Sequence, residues 1–166
     1  LDDLALDAES RRLIDRRFRE MTHAGAALAD ADKVLLTRLN RRLSELTTLF
    51  ERNLLADTTA LAVVFEDAAE LDGLTEGEVS AAAAAARERG LDGRWLVTLT
   101  LFSGHPYLAQ LRSRSARQRI MTASRSRACR GDEHDNGSVL RDIVRLRAER
   151  AELLGYPSHA AYVTAD

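Results

Sequence analysis

The stretch Asp32-Lys-Val-Leu-Leu-Thr-Arg-Leu-Asn-Arg-Arg-Leu-Ser-Glu-Leu-Thr-Thr-Leu-Phe-Glu-Arg-Asn-Leu-Leu-Ala-Asp57 decides the fold. Leu36, Leu39, Leu43, Leu46, Phe50 and Leu54 recur at three- and four-residue steps, which puts them on one face of a helix. Leu35, Leu49 and Leu55 widen that stripe. About 25 residues at 1.5 Å each predict a rod of roughly 37 Å. A helix of that length with one apolar stripe packs against other helices.

Its neighbours read the same way. Glu9 to about Leu28 predicts a first helix, with Asp7 as N-cap and Ile14, Phe18, Met21, Gly25 and Leu28 on one face. A short link at 29–32 makes the two an antiparallel hairpin. Downstream, Leu61-Ala-Val-Val-Phe65 reads as a short strand, and Asp72-Gly73 as a turn. Thr75 and Glu78 have capping-box spacing ahead of six alanines, Ala81 to Ala86, with Gly90 placed to end that helix. Arg94 to Leu101 alternates in strand formers and is expected to pair with 61–65. Since a two-stranded ribbon needs support, the alanine-rich helix is the candidate behind it. Residues 107–130 predict one or two helices with Leu108, Leu111, Ala116, Ile120 and Ala123 inside. A polar loop, 131–137, leads into a helix from Ser138 to Leu154 whose broad apolar face includes Val139, Leu140, Ile143, Val144 and Leu146. Gly155 stops it, and Pro157-Ser158 opens a further turn and a helix unfinished at Asp166. The expectation is a mainly α protein of antiparallel helical hairpins with a small two-stranded antiparallel β element, one domain over 1–166.

Composition agrees with a globular chain. Of 166 residues, 45% are hydrophobic and 30% charged, which excludes disorder; 5% are aromatic, too few for base-stacking platforms. One cysteine forms no internal disulfide framework and fits a reducing compartment. No apolar run reaches the roughly 18–20 residues of a membrane span. The net charge of −2 hides a division: 61–93 carry eight acids and two bases, 94–131 eight arginines and no acid. Mutual neutralisation across the fold is the plain reading. A nucleic-acid patch on Arg112–Arg130 is the other, but the arginines spread around the helix and no DNA-binding motif surrounds them.

Candidate chemistry is sparse. His23, His105, His134 and His159 form no local pair of the His-Glu-x-x-His kind. Cys129 and His134 are too little for a metal site. Asp132, Glu133 and Asp135 lack the order of a calcium loop. There is no phosphate-cradling glycine loop and no Gly-x-Ser-x-Gly elbow. Cys129 lies among arginines that favour a thiolate, and a structural thiol is the simpler reading.

Leu140-Arg-Asp-Ile-Val-Arg-Leu-Arg-Ala-Glu-Arg-Ala-Glu-Leu-Leu-Gly-Tyr-Pro-Ser-His-Ala-Ala-Tyr162 resembles a segment of the M3 family of zinc oligopeptidases, which has the form (I/L)xxLRxxxAxLLG(F/Y)xxxAxY. Leu146-Arg147, Ala151, Leu153-Leu154-Gly155-Tyr156, Ala160 or Ala161, and Tyr162 match it. Leu43-Ser44-Glu45-Leu46 with Phe50 and Asn53 resembles an upstream helix of that family, and the intervening elements follow in family order. Pro106-Tyr-Leu108-Ala-Gln-Leu111-Arg112 is most similar to the peptidyl-dipeptidase (Dcp) branch. The resemblance runs from about Asp7 to Asp166.

That resemblance implies a parent enzyme, a zinc metallopeptidase releasing dipeptides from the C-termini of short peptides in a channel between two helical halves. The zinc is held by His-Glu-x-x-His and a downstream glutamate, none of which this chain contains. It therefore implies a non-catalytic segment of the upstream half, forming part of the channel wall. No catalytic, cofactor-binding or metal residue carries over to any position here. The isolated chain is expected to be inactive and to bind no zinc, with the missing catalytic half and short peptides as partners. No nucleic acid and no membrane are expected, and the location is cytoplasmic. The alternative is a standalone α-helical peptide- or protein-binding module without peptidase activity.

Overall fold

A computed structural model describes residues 6–101 and 103–165. Among these the order is α1 (Ala8–His23), α2 (Asp30–Ala60), β1 (Val63–Phe65), a 3-10 turn (Ala68–Leu71), α3 (Glu76–Glu88), β2 (Trp95–Val97), α4 (Gly104–Gln110), α5 (Arg114–Ser126), α6 (Gly137–Leu153) and α7 (His159–Val163). The mainly α class with one two-stranded antiparallel sheet is as the sequence predicts. The chain divides into two compact units: residues up to Thr48 with those from Leu140 onward, and Leu49–Val139. Helices α2 and α6 each contribute to both.

In the second unit β1 and β2 pair antiparallel, Val63 opposite Val97, Val64 opposite Leu96 and Phe65 opposite Trp95. Helix α3 packs on β2, as the need for a covering layer requires, and buries Ala82 and Ala86. Small side chains let the helix approach the sheet closely. Thr75 and Glu78 form the complete capping box, which satisfies two N-terminal donors of α3 reciprocally. Phe65, Leu71, Val97, Leu99, Tyr107, Leu111, Ala116 and Ile120 complete one core. The second strand is shorter than its alternation suggests. Ser103 Oγ donates to Thr98 O at 2.9 Å and lies 2.6 Å from Thr98 Oγ1, so the chain curls at Thr98 and Leu101 is left 75% exposed. Residues 107–130 resolve into two helices, α4 beginning earlier, at Gly104, and α5 capped by Ser113 Oγ on Ala116 N–H. Gly73 has φ +105°, and a Cβ there would lie 2.2 Å from Gln110 O. Only glycine lets the turn after the 3-10 segment pass this backbone.

In the first unit Leu36, Leu39, Leu43 and Leu46 of α2 are buried, as are Ile143, Leu146 and Ala151 of α6. Helix α2 exceeds its predicted bounds at both ends, and Leu35 and Leu55 are exposed rather than part of the stripe. Leu140 and Val144, assigned to the apolar face of α6, are also exposed. Helix α1 starts as predicted, Asp7 accepting from Ser10 N–H, but stops at His23 and does not reach Leu28. Gly25 explains the stop. Its φ of +97° breaks the helix, and it sits where a Cβ would meet Leu36 Cδ2 at 2.6 Å. The expected unfinished helix is a short one: α7 ends at Val163, with Thr164 N–H on Ala160 O. Asp166 lies outside the described residues.

Candidate functional site

The segment that carries the sequence signature folds back on α1. Gly155, at φ +83°, turns the chain out of α6, and Tyr156 N–H returns to Ala151 O at 2.9 Å. That places Tyr156 Oη 2.9 Å from His23 Nδ1. Ser158 caps α7 through Ala161 N–H, and α7 presents Tyr162 to the same imidazole. The His23 and Tyr162 rings stack with centroids 4.2 Å apart and planes 4° from parallel. Tyr156 meets both rings edge-on at 5.4 Å. The Arg150 guanidinium lies 5.1 Å from the Tyr162 centroid, a cation–π geometry.

Beside this cluster is a cleft of about 520 Å³ whose lining includes Arg16, Phe18, Arg19, Thr22, His23 and Tyr156. Glu20 lines it too and pairs with Arg16 at 2.8 Å, so its polar lining carries both signs of charge. Its imidazole is bonded to a phenol and to no carboxylate among the described residues, so it lacks the base–orienter pairing of a general-base catalyst. Its capacity is for packing and hydrogen bonding. The His159 ring lies 6.3 Å from that of Tyr162, and its Nδ1 is buried without a hydrogen-bond partner. Burial, and then the charges of Arg147 and Arg150, hold the His159 imidazole below the usual histidine range.

The basic stretch is largely consumed by the fold. Arg94 pairs with Glu66 at 2.9 Å, Arg112 with Asp72 at 3.3 Å and Arg119 with Glu70 at 2.8 Å. These three pairs neutralise three of the eight acids of the acidic stretch, in the direction the charge division suggests. Arg119 also donates to Val64 O and sits 4.3 Å over the Phe65 ring. Arg117 caps Leu111 O at 2.6 Å, and Arg127 reaches Leu99 O at 3.1 Å.

The acidic loop is likewise internal. Asp135 accepts from Gly131 N–H and Gly137 N–H at 2.8 and 2.7 Å, and Asp132 pairs with Arg130 at 2.6 Å. Cys129 is exposed. His105 lies on α4 and His134 in the acidic loop, both in the second unit. Among the described residues no group of three or more His, Cys, Asp or Glu could hold a metal ion. The residues present do not make a zinc site, and no zinc chemistry is assigned to them.

The polar core of the second unit has no sequence signal. Asp57, fully buried, accepts Ala128 N–H at 2.7 Å and the Arg130 guanidinium at 2.8 Å. Burial alone would raise its carboxyl, but the Ala128 and Arg130 bonds outweigh it and hold it below the usual carboxylate range. Buried Asn53 donates to buried Asn136 at 3.0 Å. Asn53 was visible as a family match, though not as half of a pair.

The fold and cluster define a helical scaffold with an aromatic–histidine clasp and no catalytic constellation among the described residues. No protein-family model matches the chain. Curated proteins do. The chain is 40% identical over 165 residues to dipeptidyl carboxypeptidase of Escherichia coli (strain K12), covering 99% of this chain and 24% of that protein. It is 41% identical over 163 residues to dipeptidyl carboxypeptidase of Salmonella typhimurium, with 98% and 24% covered. It is 30% identical over 162 residues to a probable cytosolic oligopeptidase A of Arabidopsis thaliana, with 94% and 23% covered. The chain thus spans about a quarter of the length of the curated relatives it matches. Over that quarter it is a relative of the dipeptidyl carboxypeptidases and oligopeptidases A, and the resemblance read from Leu140–Tyr162 holds. No helix among the described residues is long and apolar enough to cross a membrane.

Proposed function

We propose that the chain is a non-catalytic helical segment of a zinc-dependent peptidyl-dipeptidase or oligopeptidase that cleaves short peptides, and that it forms part of the substrate-channel wall. The observation that carries this reading is the coverage: 99% of the chain aligns at 40% identity with 24% of a dipeptidyl carboxypeptidase, and no His-Glu-x-x-His stands in the aligned part. Zinc then belongs to residues beyond these 166, in a catalytic half that is this segment's partner. Short peptides reach the segment only in the assembled enzyme. The parent acts in the cytoplasm, and neither nucleic acid nor membrane is a partner. The segment's own contribution is shape. Six of the eight arginines in 94–131 are engaged in internal bonds, and its Leu153–Tyr162 signature builds the His23 clasp.

The test compares the 166-residue chain with the product of the whole gene, using a short peptide labelled at its C-terminal dipeptide. Chelator-sensitive dipeptide release by the whole product and none by the 166-residue chain is the expected result. Zinc-dependent release by the 166-residue chain alone would falsify the reading. A gene without a zinc motif would favour the standalone binding module.

A further inference from the structure

Helix α1 is amphipathic, and most of its apolar side is exposed. On a helix that turns about 100° per residue, Leu13, Met21, Ile14 and Phe18 span an arc of roughly 140°. His23 falls on roughly the opposite side, and His23 is what attaches α1 to Tyr156 and Tyr162. Of that arc, Phe18 lines the cleft beside the clasp and Ile14 is half-buried, while Leu13 and Met21 are exposed. No residue of α1 is buried: Leu13 is 54% exposed, Met21 61% and Phe18 69%. The helix is nonetheless well made, with an Asp7 cap and with Arg16 and Arg17 both bonded to Glu20 at 2.8 Å. Three large apolar side chains side by side on a capped helix are the mark of a docking face.

The length of the relatives says what docks there. About three quarters of each lies outside the aligned part, so a parent of that length has ample polypeptide to cover one helix face. We infer that Leu13, Phe18 and Met21 are an intramolecular docking face, covered by apolar side chains of the parent polypeptide outside these 166 residues. Helix α1 is then held through His23 and covered over Leu13, Phe18 and Met21. This inference rests on the reading of the chain as a segment of a longer protein.

The experiment uses the whole gene product with Cys129→Ser and either Phe18→Cys or Met21→Cys. Thiol labelling is timed on the native protein and on the same variant unfolded in urea. Covered positions label at least tenfold more slowly when native, at any protein concentration. Native rates within threefold of the unfolded rates overturn the inference. So does protection that disappears on dilution, because a second copy is then the occupant. A gene that encodes nothing beyond these residues overturns it as well. Peptide cleavage measured on the same preparation separates the two claims. Cleavage without protection sinks the docking face and leaves the functional reading standing. Protection without cleavage does the reverse.

Discussion

Asp57 Oδ2 accepts the backbone N–H of Ala128 at 2.7 Å, across 71 positions of sequence, and Ala128 holds a φ of +53°. A left-handed alanine is uncommon, and here a buried carboxylate fixes it. The same carboxylate takes Arg130, so one side chain ties α2 to the loop after α5. Replacing it with Asp57→Ala leaves a buried N–H without an acceptor. The expected loss is about 1–3 kcal/mol, read as a lower urea midpoint at unchanged slope. An unchanged midpoint would mean the loop holds itself.

His159 and Asp57 are two buried or half-buried groups that shape the acid side of the stability curve. His159 titrates lower in the fold than its ordinary 6.5. The unfolded chain then binds the extra proton first, so stability is whole above 6.5 and is lost as the pH falls from there to the folded value. Asp57, held below its ordinary 3.8, adds a second loss as the pH falls through the range below 3.8. Urea midpoints at pH 7.5 and 5.5 should therefore differ, with the lower value at 5.5. In His159→Gln that difference shrinks. An equal difference in the variant assigns the effect elsewhere.

Gly73 and Gly90 both have positive φ, +105° and +70°, yet they predict different outcomes. At Gly73 a new Cβ meets the Gln110 carbonyl, and neither backbone is free to yield. Gly73→Ala is expected to cost about 3 kcal/mol, backbone strain plus the clash. At Gly90 nothing lies within 4 Å, and φ is in the region asparagine adopts with little strain. Gly90→Asn should change stability by less than about 1 kcal/mol. Thermal melts of the pair decide it, and equal effects would show that conformation alone matters.

What the sequence made legible was whatever a local rule governs. The Asp7 cap, the Thr75–Glu78 box and the Gly90 and Gly155 stops follow from spacing within one or two turns, and the β1–β2 pairing from two runs of strand formers. The errors share a cause as well. Helical periodicity continues through Gly25, so α1 reads too long; only the close approach of Leu36 shows why the chain must turn there. Leu35, Leu55, Leu140 and Val144 satisfy the apolar pattern but remain exposed, because periodicity names a face and not its partner. The polar core of Asp57, Ala128 and Arg130 joins residues far apart in sequence. The clasp was half visible: Tyr156 and Tyr162 stood in the signature, while His23, more than a hundred residues earlier, was noted only for failing to pair with another histidine.

His23 is the strongest remaining test of how α1 is held. The helix buries no side chain, so hydrophobic burial contributes little to its attachment. Its described attachments include one stacked ring at 4.2 Å, one edge-on ring at 5.4 Å and one hydrogen bond at 2.9 Å. Aromatic stacking contributes about 0.5–1.5 kcal/mol and a neutral hydrogen bond about the same. His23→Ala should therefore weaken local closure by about 1–3 kcal/mol, which is roughly 5- to 150-fold in the opening equilibrium. Hydrogen exchange of the Ala8–His23 amides should accelerate by that factor, while the amides of Glu76–Glu88 in the other unit keep their rates. Tyr156→Phe removes the hydrogen bond and keeps the ring, so it should give the smaller part of the effect. If neither substitution changes exchange in α1, the clasp is not what holds the helix in place.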